Sequence, residues 1–130
     1  MTILYVSDQE ASKMFYQAVL QTKPSLDVPG MTEFRMGKGL VLGLMPISGI
    51  KRLLGDEVIQ GYESTNPQVE LYFVVDDARG YLSRAIQSGA KPLVDVVVQD
   101  WGDRVGYCLD PDNHVLAFAE APKSLKRSEG

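Results

Sequence analysis

Residues Trp101 to Glu120 read WGDRVGYCLDPDNHVLAFAE, and the fold follows from this stretch. Val105, Tyr107 and Leu109 alternate with Gly106 and Cys108, the two-residue period of a strand with two unlike faces. Asp110-Pro111-Asp112-Asn113 is turn chemistry: proline presets φ, and Asp and Asn tolerate the left-handed region and bond their own backbone. Val115 to Ala119 alternates again, so the segment predicts a hairpin with a loop of a few residues.

Bulk properties bound what such a hairpin can belong to. The chain has 130 residues and is 45% hydrophobic, enough for one compact domain with a real core. Its formal net charge is −4 and no basic cluster offsets it, which argues against nucleic-acid binding. No apolar run reaches membrane-spanning length, and no basic stretch followed by an apolar signal core opens the chain. The expectation is a cytoplasmic protein with neither a nucleic-acid nor a membrane partner. Cys108 is the only cysteine, so an internal disulfide is excluded, and its place in a strand reads as a small buried hydrophobe.

Working outward to the start of the chain, Ile3 to Val6 predicts a short strand, and Asp8 can cap a following helix whose first turn carries Glu10. Ala11, Met14, Phe15, Ala18 and Val19 give that helix an apolar stripe at three- and four-residue spacing. It should stop before Lys23-Pro24, because the residue preceding proline resists the α region. Three strands follow, at Ser25–Val28, Thr32–Met36 and Leu40–Met45, separated by glycine-containing turns. A less regular segment contains a helix candidate, Ile47 to Leu54, and ends in the polar run Glu63-Ser64-Thr65-Asn66-Pro67. The pattern then restarts with a strand at Val69–Val75 and a helix capped by Asp76-Asp77, with Ala78, Leu82, Ala85 and Ile86 as its stripe. Gly89 suits the helix C-terminus, and Leu93 to Val98 predicts the strand leading into the closing hairpin.

The order strand, helix, three strands thus occurs twice, with Asp8 matching Asp76 and Lys23-Pro24 matching Lys91-Pro92. Boundaries fall at about 1–46 for the first module, about 47–67 for a linker, about 68–121 for the second module and 122–130 for a polar tail. Neither unit can bury a sheet face alone, so a single α+β domain of paired βαβββ modules is expected.

W-G-x-R followed by x-D-P-D-[GN]-H-x-[LI], as it stands at Trp101 to Leu116, resembles the closing hairpin of the vicinal-oxygen-chelate superfamily. That superfamily includes glyoxalase I, bleomycin and fosfomycin resistance proteins and extradiol dioxygenases. L-Y-V-S-D-x-E-x-S-x-x-F-Y-x-x-V-L at Leu4 to Leu20 is similar to its opening strand and helix, and F-V-V-D-D at Phe73 to Asp77 to the start of its second unit. The resemblance covers nearly the whole chain. It implies curved mixed sheets around a cavity, commonly in a homodimer.

It also implies a divalent metal held by two histidines and a glutamate, with open positions for two substrate oxygens. The positions of this chain that match those ligands are Met1, Glu70 and Ala117, of which only Glu70 carries a ligating group. His114, the single histidine, lies in the turn and reads as a brace for it; a shifted register recruiting Tyr5, Glu120 or His114 is the alternative. The expectation is therefore no metal and no other cofactor, with a divalent metal in altered ligation kept as the competing case.

What is left is a pocket. Glu70 shares a face with Tyr72, Ile3 shares one with Tyr5, and Ala117 lies on the face where the metal glutamate would sit. Tyr107 matches a substrate-contacting tyrosine of fosfomycin-resistance relatives. Trp101 is a candidate to stack on a planar ligand or to cover a core edge, and Arg104 to bind an anion or to pair with Asp110, the pairing being favoured. Glu70 is the candidate general base if an apolar cavity raises its pKa, and otherwise a solvated strand-edge carboxylate or one paired with an arginine such as Arg35. Glu33 and Arg35 alternate with Phe34 and face away from the helix side. No phosphate-binding loop or nucleophile elbow occurs. These residues predict a metal-independent binder of a small organic, possibly aromatic, molecule; a lyase, isomerase or transferase using Glu70 or an atypical metal is the alternative.

Overall fold

A computed structural model describes residues 1–59 and 69–122. The polar run at 63–67 and the tail from 123 onward lie outside the described residues. The first unit is built on β1 (Thr2–Val6), α1 (Gln9–Leu20), β2 (Leu26–Val28), β3 (Met31–Arg35), β4 (Val41–Pro46) and α2 (Ile47–Leu54), followed by a 3-10 turn at Asp56–Ile59. The second contains β5 (Glu70–Val74), α3 (Ala78–Gln87), β6 (Lys91–Val98), β7 (Arg104–Leu109) and β8 (Val115–Glu120).

Both units solve the same topological problem in the same way. In the first sheet the order is β1-β4-β3-β2, and in the second β5-β8-β7-β6. The opening strand of each runs parallel to the closing one, while the remaining pairs are antiparallel. The helix between the first and second strands supplies the crossover that parallel pairing requires. The result is α+β, two βαβββ modules with mixed sheets.

In the first unit Leu4, Val6, Phe34, Leu42 and Leu44 turn one sheet face toward α1 and are buried. The helix meets them with Phe15, Tyr16, Val19 and Leu20, the two rings in edge-to-face contact at 5.0 Å. Fully burying a side chain of this size contributes roughly 1.5–3 kcal/mol. The buried stripe of α1 is therefore Ser12, Phe15, Tyr16, Val19 and Leu20, which keeps Phe15 and Val19 of the predicted stripe but not its other members: Met14 is 56% exposed, and Ala11 and Ala18 face solvent. A one-position rotation of the helix separates the two stripes. Its setting is held at the N-terminus, where Asp8 Oδ1 accepts the Ala11 N–H and the Gln9 side chain reaches the β2–β3 turn. Gln9 donates to Val28 O and Thr32 Oγ1 and accepts from Gly30 N–H. Ile47–Leu54 is helical, as its apolar run predicts, and buries Ile50.

In the second unit Asp77, the second residue of the expected Asp76-Asp77 cap, precedes α3 and accepts from Gly80 N–H, so the residue that matches Asp8 is one later than the predicted Asp76. Ala78, Leu82 and Ala85 are buried, while Ile86 stays 40% exposed at the helix edge. Gly89 carries φ +114, which closes the helix in the backbone region glycine enters without strain. Phe118 stacks on Phe73 at 5.7 Å and meets Tyr81 at 5.6 Å. Gly106 of β7 lies directly under the helix: a Cβ there would stand 2.8 Å from both Leu82 Cδ2 and Val96 Cγ2. The β7–β8 turn closes with Asp110 N–H donating to His114 O and Asn113 at φ 67. Among the described residues no helix is long and apolar enough to cross a membrane.

Candidate ligand site on the second sheet

Strand register arranges the face of the second sheet turned away from α3 into rows. Tyr72, Ala117 and Tyr107 stand side by side on β5, β8 and β7, with Val94 of β6 beyond. The next row is Val74, Ala119, Val105 and Val97, and the row on the other side is Glu70, Val115, Leu109 and Lys91. Ala117, Ala119 and Val105 are fully buried, and Tyr72 and Tyr107 pack against them. The small side chains at 117 and 119 let the two tyrosines lie low over the sheet. Toward the margins Val74, Val94 and Val97 are 41%, 47% and 49% exposed.

The loop from Gln99 to Asp103 sets a polar corner on this face. Gln99 N–H donates to Asp103 O at 2.8 Å and Gly102 N–H to Gln99 O at 2.9 Å, with Gly102 at φ +99. This tight closure projects Trp101, which remains 50% exposed. Its indole N–H donates to the Tyr72 hydroxyl at 2.9 Å, and that hydroxyl donates to Asp103 Oδ2 at 2.6 Å. Asp103 itself is 2% exposed. A buried carboxylate thus fixes the direction of the Tyr72 proton, and the Tyr72 oxygen fixes the plane of the indole. Burial, and after it the nearby Glu70 charge, pushes the Tyr107 phenol above its usual pKa, so Tyr107 offers a neutral hydroxyl.

Of the residues singled out from sequence, Tyr72, Trp101, Tyr107 and Ala117 are brought together, with Ala117 as buried floor. Glu70 stands on the same face at the exposed start of β5. Arg104 does not join them: in register it faces Glu120, and alternation puts it on the α3 side of the sheet. Its expected pairing with Asp110 is also overturned, because the two stand at opposite ends of β7. Asp110 instead holds the turn, its Oδ1 accepting the N–H groups of Asp112 and His114 and its Oδ2 meeting His114 Nδ1 at 2.8 Å. Tyr5 belongs to the first unit, half-buried on the face of its sheet turned away from α1. Asp103 was not found from sequence. Its only signal was its place between Trp101 and Arg104, since its partner Tyr72 lies 31 positions away.

The donor set does not fit a chelated divalent metal. Ala117 has no ligating atom, Met1 lies with its sulfur 3.3 Å from where a Gly43 Cβ would stand, and Glu70 is the one carboxylate of the three. Glu120, the alternative ligand on β8, accepts Ala78 N–H at 2.8 Å and so caps α3. Among the described residues no three His, Cys, Asp or Glu side chains cluster so as to hold an ion. A cleft of about 360 Å³ between α3 and β6, lined by Arg79, Leu82, Ser83, Ile86, Gln87 and Asp95, lies away from the tyrosine–tryptophan corner.

Residues 1–123 match the family model described as Glyoxalase-like domain. The uncharacterized protein Mb0911c of Mycobacterium bovis is 28% identical, the match covering 97% of this chain and 85% of that protein. Among solved structures, a glyoxalase/bleomycin resistance protein/dioxygenase family enzyme from Burkholderia phytofirmans superposes with a TM-score of 0.82 at 18% identity, covering 93% of this chain and 96% of that one. A glyoxalase-related enzyme from Fulvimarina pelagi gives 0.78 at 23% identity, covering 94% and 88%. Lactoylglutathione lyase from Agrobacterium tumefaciens gives 0.68 at 21%, covering 92% and 90%.

Proposed function

The chain belongs to the Glyoxalase-like domain family, and from that premise we propose that it binds a small, largely apolar aromatic molecule without a metal, as a sequestering or resistance-type protein. The observation that carries this reading is the Trp101–Tyr72–Asp103 hydrogen-bond chain at the corner of an apolar sheet face. An apolar floor with a few fixed polar groups is the usual makeup of a small-molecule site. Tyr107 and the buried Ala117 complete the floor, and Trp101 offers its ring faces to a planar ligand.

A lyase, isomerase or transferase with Glu70 as base is the competing reading. Glu70 is exposed at the start of its strand, at the margin of the apolar face and not within it. We further propose that the protein works in the cytoplasm as a homodimer, in keeping with the family resemblance.

The test is calorimetric titration of dialysed protein with nickel, zinc, manganese and iron, followed by a thermal-shift screen of planar aromatics. Absence of tight metal binding together with stabilisation by aromatics is expected, and Trp101→Ala should abolish the stabilisation. Binding near one ion per chain would overturn the proposal and move the reading to a metalloenzyme.

A further inference from the structure

The cleft between α3 and β6 lies away from the tyrosine–tryptophan corner, and the reading above gives it no role. Its described lining side chains all belong to the second unit. One wall is a stripe of α3. Arg79, Ser83 and Gln87 follow one another at four-residue steps, about 6 Å apart along the axis, with Leu82 and Ile86 beside them at the same step. Gln87 Nε2 donates to Ser83 Oγ at 3.3 Å. Leu82 is buried and Ile86 half-exposed, so this wall offers an apolar strip with a cation at its N-terminal end.

The other wall carries the opposite charge because β6 is bulged. Val94 stands opposite Tyr107 and Val97 opposite Val105, so Asp95 and Val96 together face Gly106 alone. Val96 is buried on the α3 side, its Cγ2 2.8 Å from where a Gly106 Cβ would stand. Strict alternation would then send Asp95 to the far face of the sheet. The extra residue cancels the alternation and brings Asp95 into the cleft as well. Its Oδ1 accepts the Val96 N–H at 2.8 Å, which holds the carboxylate against the strand.

A guanidinium and a carboxylate thus stand on the two walls of one cleft of about 360 Å³, a volume within the usual range for small-molecule sites. Among the described residues the two are not ion-paired with each other. A ligand with one charge is matched at one wall only, whereas a small molecule with both charges is matched at both. We propose that this cleft binds a small aliphatic zwitterion of the α-amino-acid class. Its carboxylate would take the two parallel N–H donors of Arg79, its ammonium the Asp95 carboxylate, and its side chain the strip of Leu82 and Ile86. This is a second site, and it stands independently of the metal-free binder reading.

The test is amide chemical-shift mapping of the full chain, labelled with nitrogen-15, at neutral pH. The probes are L-leucine, 3-methylbutylamine, which lacks the carboxylate, and 4-methylpentanoate, which lacks the ammonium. Leucine is expected to move the amides of α3 and β6 saturably, and to bind about fivefold tighter than either single-charge analogue, the scale of one solvent-exposed ion pair. Arg79→Gln should lower leucine to the affinity of the amine, and Asp95→Asn to that of the acid. Asparagine keeps an acceptor for the Val96 N–H, so the bulge survives that change. No saturable shift with leucine, or leucine no tighter than its analogues, would overturn the proposal. Shifts centred on Tyr72 and Trp101 would overturn it too, by placing the amino acid on the opposite face of the sheet.

Discussion

Cys108 illustrates how a single residue's chemistry follows from its neighbours. It sits on β7 with no exposed surface, and burial, with a smaller contribution from the Asp110 charge, pushes its thiol up to about 12 from an ordinary 9.0. The thiolate is the reactive form, so at pH 8 the folded protein should not react with a disulfide reagent, whereas the denatured chain should release one thiol equivalent. Rapid labelling of folded protein would contradict this. The sign of the pH effect follows: the folded state holds the proton more tightly, so this group's stabilisation is complete below pH 9 and is lost as pH rises toward about 12. The inert role was legible from one cysteine in an alternating strand. Asp110 was legible only as a turn residue; that it serves two backbone amides and the His114 ring required the folded turn.

At the scale of elements, α3 packs closely on β7, and Gly106 is what allows it. Adding a methyl at 106 places carbon 2.8 Å from both Leu82 and Val96 side chains, on a helix face where Ala78 and Ala85 are already fully buried. Gly106→Ala should destabilise the protein by about 1–3 kcal/mol, the usual range for overpacking, read as a lower denaturant midpoint with an unchanged slope. No loss of stability would mean that Leu82 moves aside without penalty. At this scale the sequence was a good guide to which elements form. Periodicity, the caps at Asp8 and Asp77 and the turn at Asp110–Asn113 are local, and each was readable within a few residues. The rotation of α1 was not readable. Met14 and Tyr16 are both apolar enough to be buried, and the choice depends on where Gln9 ties down the β2–β3 turn, about 20 residues later.

For the whole molecule, the repeat is the organising fact: two units, each with its opening strand parallel to its closing strand and a helix on one side. β6 is an edge strand of the second sheet, and Leu93, Val94, Val97 and Val98 on it are 47–69% exposed. Pro92, Asp95 and register shifts along it are the devices that blunt an edge against indiscriminate pairing. Apolar surface on a guarded edge agrees with the proposed homodimer, which sedimentation velocity should show as a species of twice the chain mass. Charged substitutions at Val97 and Val98 are expected to shift it to the monomer; a wild-type monomer at tens of micromolar would refute the assembly.

By itself the sequence determined the βαβββ repeat and the places of helices, strands and turns, because these rest on periodicity, capping and turn chemistry within short windows. Tertiary structure alone decided which of the singled-out residues meet. It put Tyr72 beside Trp101, buried Asp103 behind them, turned Arg104 to the opposite face and gave Glu120 to the N-terminus of α3. The physical reason is that a hydrogen bond between residues 29 or 31 positions apart depends on sheet register and on one loop's closure. Neither is set by any window of sequence short enough to be read locally.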